Sequence, residues 1–138
     1  MVSGHPAGLA PLFLDRSLGR RQVPELLRAA GLQLQTLSEA YGIPADEDVS
    51  DVAWLELAGS HGWPVLMKDE RIRYRGAERD ALVAHGVKAF CLTSGNLRAA
   101  EMAAQFLAVV DPIADACTEL GPFLYAVSGR GLRRLDLT

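Results

Sequence analysis

The chain has 138 residues, the length of one average domain, with 49% hydrophobic and 22% charged residues, an ordinary balance for a globular protein. Its net charge of −3 does not indicate a basic nucleic-acid-binding domain, and its two cysteines lack the CxxC spacing of a zinc site. No stretch reaches the ~18 apolar residues of a membrane span, and residues 1–11 lack a secretory-signal pattern, so we expect a cytoplasmic protein without membrane contact.

The pattern of apolar runs and turn residues predicts alternating strands and helices. Residues 1–11, rich in glycine and proline, are predicted to form a flexible N-terminal arm, and residues 12–138 one domain. The alternation predicts a three-layer α/β/α sandwich with a mostly parallel five-stranded sheet, followed by a last short strand. We predict strands at about 12–15, 32–37, 65–67, 87–93, 123–127 and 132–137, and helices at about 21–30, 51–61, 77–84, 97–110 and 112–119.

Three aspartates are predicted to meet at one edge of this sheet. Asp15 and Asp69 each close a strand, and Asp51 lies in the first turn of the helix before the third strand. Strand ends of an open parallel sheet are where ligands bind. Converging carboxylates repel one another, and Mg²⁺ or Mn²⁺, which prefer hard oxygen ligands, would relieve the repulsion. Any single aspartate is as readily a helix cap or a turn residue, so the joint pattern carries the prediction.

Cationic residues flank two of these aspartates. Arginine and lysine beside a metal site can hold phosphates, although a solvated charged turn would also contain them. Tyr74 could either stack on an unpaired base or pack against the protein. The predicted phosphate or RNA contacts are Arg16, Lys68, Arg71 and Arg73.

Two polar residues follow the fourth predicted strand. Ser94 and Asn96 could cap the next helix or hydrogen-bond a metal-bound water at the same sheet edge. Ser50 or Asp48 could cap the helix that begins at Asp51. The apolar stripe in the long helix is helix core or a dimer face, and its members are Met102, Ala103, Phe106 and Leu107.

The order of four motifs resembles a PIN-like domain, with the VapC-type ribonuclease toxins as the nearest group. The motifs, which fall within a resemblance from Leu12 to about Leu135, are FLDRSLG at 13–19, DVAW at 51–54, VLMKDERI at 65–72 and LTSGNL at 92–97. The resemblance implies that Asp15, Asp51 and Asp69 bind Mg²⁺ or Mn²⁺ and that a metal-activated water cuts RNA. It leaves open whether Glu70, Asp48 or no residue fills a fourth acidic position.

The same resemblance implies a protein partner, because VapC-type toxins are held by an antitoxin. We expect a small antitoxin to cover the acidic cleft, with an arginine of the partner able to pair with Asp15 or Asp69. The acidic residues 46–48 would either steer a basic segment of the partner to the cleft or simply be solvated.

Three other classes of protein share part of this sequence pattern. A haloacid-dehalogenase-type phosphatase needs a second aspartate where Ser17 stands, which argues against that class. A response-regulator receiver needs an acidic pair at the first strand, and Leu14 leaves that pair incomplete. The third alternative is a catalytically inactive PIN-like module that binds RNA or protein.

Overall fold

The computed structural model of the chain describes residues 4–68 and 70–137, apart from the side chain of Glu70. Within these residues the strands and helices follow the predicted alternation. The strands are β1 (Leu12–Leu14), β2 (Leu34–Thr36), β3 (Val65–Met67), β4 (Lys88–Leu92), β5 (Phe123–Ser128) and β6 (Gly131–Leu135). The helices are α1 (Gln22–Ala29), α2 (Leu37–Tyr41), α3 (Asp51–His61), α4 (Gly76–Ala84), α5 (Ala99–Ala108) and α6 (Val110–Ala116).

The strands form one sheet in the order β2-β1-β3-β4-β5-β6. All neighbours pair in parallel except β5 and β6, which are antiparallel. The predicted mostly parallel α/β fold is therefore confirmed, but the sheet has six strands instead of five. The extra strand forms because the turn between Ser128 and Gly131 lets β6 pair along β5 as far as Leu135.

Helices cover both faces of the sheet, as the three-layer prediction requires. On one face, α1, α5 and α6 bury apolar side chains such as Leu27, Phe106 and Ile113. On the other face, α2, α3 and α4 do the same with Leu37, Trp54 and Leu82. Because both faces are covered, the inner strands are continuous apolar runs without alternation. No helix in the described part of the chain is long and apolar enough to cross a membrane.

Two local predictions need correction. The segment predicted as a plain connection before α3 contains α2, which Thr36 and Glu39 cap reciprocally, and a short 3₁₀ helix at Ala45–Asp48. Ser94 and Asn96 do not cap α5, which begins at Ala99. Asn96 has a φ of 59°, in the left-handed region, and this conformation cannot belong to the start of a right-handed helix.

The stripe predicted in the long helix is confirmed as core: Met102, Ala103 and Phe106 are buried and Leu107 packs against them. The helix itself is divided. It ends at Ala108, and α6 starts at Val110 with Pro112 in its first turn, where the missing proline N–H costs little.

Residues 4–11 contact the body of the protein. The Gly4 N–H donates to the carbonyl of Ala30, and the Gln33 N–H donates to Nδ1 of His5. The division of the chain into a flexible arm and one domain stays a prediction.

The chain order creates a crevice between β1 and β3. The connection from β1 to β2 uses α1 on one face, and the connection from β2 to β3 uses α2 and α3 on the other face. Where successive connections leave on opposite faces, the carboxyl ends of neighbouring strands are left uncovered, and ligands of open α/β sheets bind there. The fold therefore places its natural binding site directly after Leu14 and Met67.

Candidate active site

Asp15 follows β1 directly and is buried at this crevice. Its backbone N–H donates to the carbonyl of Leu66, which extends the β1–β3 pairing by one residue. Oδ1 accepts hydrogen bonds from both the backbone N–H and the hydroxyl of Ser17. These bonds cap the short 3₁₀ helix Arg16–Leu18, so Asp15 is a helix cap and a candidate ligand at once.

The environment of Asp15 disfavours its charge. Burial is the largest cause and raises the pKa of Asp15, the Ser17 hydroxyl lowers it, and the negative charge of Asp51 raises it again. Together these effects raise the pKa of Asp15 from its ordinary value of 3.8 to about 6. Near neutral pH the side chain of Asp15 is thus an ionised, poorly solvated carboxylate near Asp51. A cation at this position would relieve both penalties.

Asp51 is the first residue of α3, and two neighbours fix it there. The hydroxyl of Ser50 caps the helix by accepting from the Ala53 N–H at 3.1 Å, which confirms one of the two predicted caps. The indole Nε1 of Trp54 donates to Oδ1 of Asp51 at 2.8 Å. Trp54 is buried in the core, and it also orients this carboxylate.

Ser17 joins the ends of β1 and β3. Its hydroxyl donates to Asp15 and accepts from the Lys68 N–H at 3.0 Å. Ser17 is absent from the predicted site residues, although an aspartate followed two residues later by serine is the spacing of a side-chain turn. Lys68 precedes the third predicted aspartate, Asp69, which lies outside the described residues, as does the side chain of Glu70.

The predicted cationic contacts have different surroundings. Arg16 donates from its guanidinium to the carbonyls of Glu47 and Val49, so it fastens the loop before α3 to the end of β1. The side chains of Lys68 and Arg71 are exposed, and that of Arg73 is half-buried. Their role in binding phosphate or RNA stays a prediction.

The acidic block before α3, residues 46–48, is partly paired with a cation. Arg20 donates to both carboxylate oxygens of Asp46, at 2.8 and 2.9 Å, and its guanidinium lies 3.3 Å from Glu47. The fork-shaped contact lowers the pKa of the buried Asp46 carboxylate. Of the three acidic residues, only Asp48, a predicted support of the site, is exposed without a described side-chain ion pair.

A cavity of about 250 Å³ lies beside Asp15, between the β1 and β2 ends and the acidic block. Thr36, Ser38 and Arg20 contribute to its wall. A larger cavity of about 880 Å³, near Arg79 and Phe123, lies at the opposite edge of the sheet and has no part in this site.

The donor set fits a hard divalent cation. Among the described residues, the hydrogen bonds to Asp15 and to Asp51 each reach only Oδ1, so one oxygen of each carboxylate is left for a ligand. Oxygen donors of this kind suit Mg²⁺ or Mn²⁺. The described part of the chain contains no group of three histidine, cysteine, aspartate or glutamate side chains that could hold a metal ion. Ser94 and Asn96 are exposed in the loop after β4, at the same edge.

Comparison with known proteins places the chain in a family. Residues 11–94, more than half of the chain, match the family described as PIN like domain. The chain is 40% identical over 121 residues to a protein of Mycobacterium tuberculosis (strain ATCC 25618 / H37Rv) named "Putative ribonuclease VapC45", covering 88% of each chain. No solved structure matches the chain significantly. The family resemblance seen in the motifs is confirmed.

We predict that Asp15→Asn stabilises the metal-free protein at pH 8. The folded-state pKa is raised, so the carboxyl is protonated in both states well below 3.8. As the pH rises from 3.8 to about 6, the unfolded chain loses this proton while the folded protein keeps it, so the fold is destabilised over that window and the full cost is present above it. The full pKa shift corresponds to a loss of roughly 3 kcal/mol in the free energy of unfolding. The uncharged amide of the Asp15→Asn variant avoids this loss, and its oxygen can still accept hydrogen bonds from Ser17.

Urea unfolding in EDTA, at pH 8 and at pH 4, measures this difference. The stabilisation of the Asp15→Asn variant should be clear at pH 8 and small at pH 4. Equal stability of both proteins at pH 8 would mean that the Asp15 carboxylate is not penalised by burial.

Proposed function

The chain belongs to the PIN-like domain family, and we propose that it is a metal-dependent endoribonuclease that acts as the toxin of a toxin–antitoxin pair. The observation that supports the proposal most strongly is the buried Asp15 carboxylate, which lies beside Asp51 at the crevice between β1 and β3. A site that keeps two negative charges together at a cost in stability is typical of a functional centre.

Asp15, Asp51 and Asp69 are the proposed ligands of Mg²⁺ or Mn²⁺. When bound, such an ion lowers the pKa of a coordinated water and neutralises charge that develops on a phosphate. Ser17 and Trp54 hold the two described carboxylates in fixed orientations, so little reorganisation is needed when the substrate binds.

RNA is the proposed substrate, in keeping with the word ribonuclease in the relative's name. The overall charge of −3 would repel a polyanion, so local cations must compensate near the site. Lys68, directly after β3, and Arg71, in the 3₁₀ helix Glu70–Tyr74, have exposed side chains that can approach phosphates of the RNA. Arg16 contributes by keeping the loop 47–49 in place, whether or not it also reaches the RNA.

We expect Asp15→Asn and Asp51→Asn each to reduce RNA cleavage about 100-fold or more, since loss of a direct ligand should exceed the 10- to 100-fold effects of residues behind the ligands. An exposed aspartate in α6 provides the matched control, and Asp115→Asn should cleave at the wild-type rate. Cleavage of unstructured RNA is measured with Mg²⁺ or Mn²⁺ and with EDTA.

Two results would contradict the proposal. Wild-type cleavage by Asp15→Asn would remove this residue from the reaction. RNA binding by the wild-type protein without any cleavage in either metal would favour the inactive, RNA-binding alternative.

The proposed antitoxin would neutralise the crevice by inserting a cation. The Arg20–Asp46 contact in this protein illustrates the effect, because a guanidinium there lowers the pKa of a buried carboxyl and so stabilises its charge. An arginine from a partner could do the same for Asp15, whose burial now has the opposite effect.

We predict that co-expression with the product of the neighbouring small reading frame yields a stable complex without ribonuclease activity. Pull-down through a tag on this chain, followed by a cleavage assay, measures both properties. Asp15→Asn should weaken the complex because the amide cannot form a charged pair. Recovery of the wild-type protein alone, non-toxic to its host, would count against the toxin assignment and favour a housekeeping nuclease.

A further inference from the structure

Tyr74 is a large aromatic side chain left outside the core. Its exposure is 70%, and the other large hydrophobic residues described as exposed are all aliphatic. Packing against the protein, one of the two roles that the sequence left open, would bury most of the ring. An aromatic ring that stays in solvent is a common binding element, because it offers a large rigid surface at little entropic cost.

One face of the Tyr74 ring is backed by a cation. The guanidinium carbon of Arg73 lies 4.6 Å from the ring centroid, within the range of a cation–π contact. Arg73 itself is half-buried, and its Nε is buried without a hydrogen-bond partner among the described residues. The contact therefore restrains the ring while the opposite face stays open.

The ring is carried on a segment fixed to the candidate active site. Tyr74 ends the 3₁₀ helix Glu70–Tyr74, which follows β3. The buried Ile72 anchors this helix to the core, and at the start of the segment the Lys68 N–H binds Ser17. Five residues of 3₁₀ helix extend about 10 Å, so one RNA strand could contact both Tyr74 and the crevice.

We propose that Tyr74, backed by Arg73, is a stacking platform for an unpaired RNA base next to the bond to be cut. This deepens the proposed function and rests on RNA being the substrate. Only a base of a single strand, a loop or a bulge can be splayed onto such a ring, so the platform selects unpaired RNA. Every base has a π-face, and the platform is thus tolerant of sequence.

The test compares Tyr74→Phe, which keeps the ring, with Tyr74→Leu and Tyr74→Ala, which do not. Each change is made in the Asp15→Asn protein, so that RNA stays uncut. Leu120→Ala, at an apolar residue 91% exposed and remote from the site, is the control. Fluorescence anisotropy then measures binding of a fluorescein-labelled unstructured RNA and of the same sequence as a duplex, both with Mg²⁺.

We expect Tyr74→Ala and Tyr74→Leu to weaken single-strand binding about 5- to 150-fold, the range for loss of one stacked base, and Tyr74→Phe and the control to have little effect. Duplex binding should change little in every variant. Equal weakening for single strand and duplex would overturn the platform, as would unchanged binding by Tyr74→Ala. RNA binding by Tyr74→Ala would also be unchanged if the ring contacted a protein partner instead of RNA.

The stacking role of Tyr74 and the proposed nuclease activity can be tested separately. If the wild-type protein cuts no RNA but binds single strands in a manner that depends on the Tyr74 ring, the platform stands and the nuclease assignment falls. If the wild-type protein cuts RNA while the variants of Tyr74 bind it normally, the platform falls and the nuclease assignment stands.

Discussion

The Asp15 carboxylate is buried at the end of β1, and the contacts around the crevice hold it there. The chain order leaves the space between the β1 and β3 ends uncovered, and the hydrogen bond from the Asp15 N–H to the Leu66 carbonyl sets this residue at its floor. Ser17 and Trp54 fix the orientation of the two carboxylates, but burial above all, and to a smaller extent the charge of Asp51, still raise the pKa of Asp15.

The remaining charged contacts shape the rim of this crevice. Arg16 and Arg20 both originate just after β1, and both reach the segment before α3, one through backbone carbonyls and the other through the Asp46 carboxylate. That segment leads directly into Ser50 and Asp51. The two arginines thus help to set the position of the second acidic residue. Both arginines therefore support the site, whereas Lys68 and Arg71, which follow β3, have exposed side chains.

Local signals in the sequence were sufficient for much of the fold. Uninterrupted apolar runs marked the buried strands, and Ser50 marked the start of α3. The long-range contacts could not be predicted in this way. Ser17 meets Lys68 across 51 positions because the pairing of β1 with β3 brings the two strand ends together, and Arg20 meets Asp46 across 26 positions. The predicted cap at Ser94 failed since the left-handed Asn96 interposes a turn before α5.

We propose that the crevice at Asp15 and Asp51 binds a divalent cation. Titration of Mn²⁺ followed by electron paramagnetic resonance tests it most directly, because the signal of the free ion weakens on binding. We expect that the wild-type protein binds Mn²⁺, that Mg²⁺ competes for the same site, and that the Asp15→Asn and Asp51→Asn variants lose most of their affinity for Mn²⁺ while remaining folded. Wild-type Mn²⁺ binding by the folded Asp15→Asn variant would contradict it.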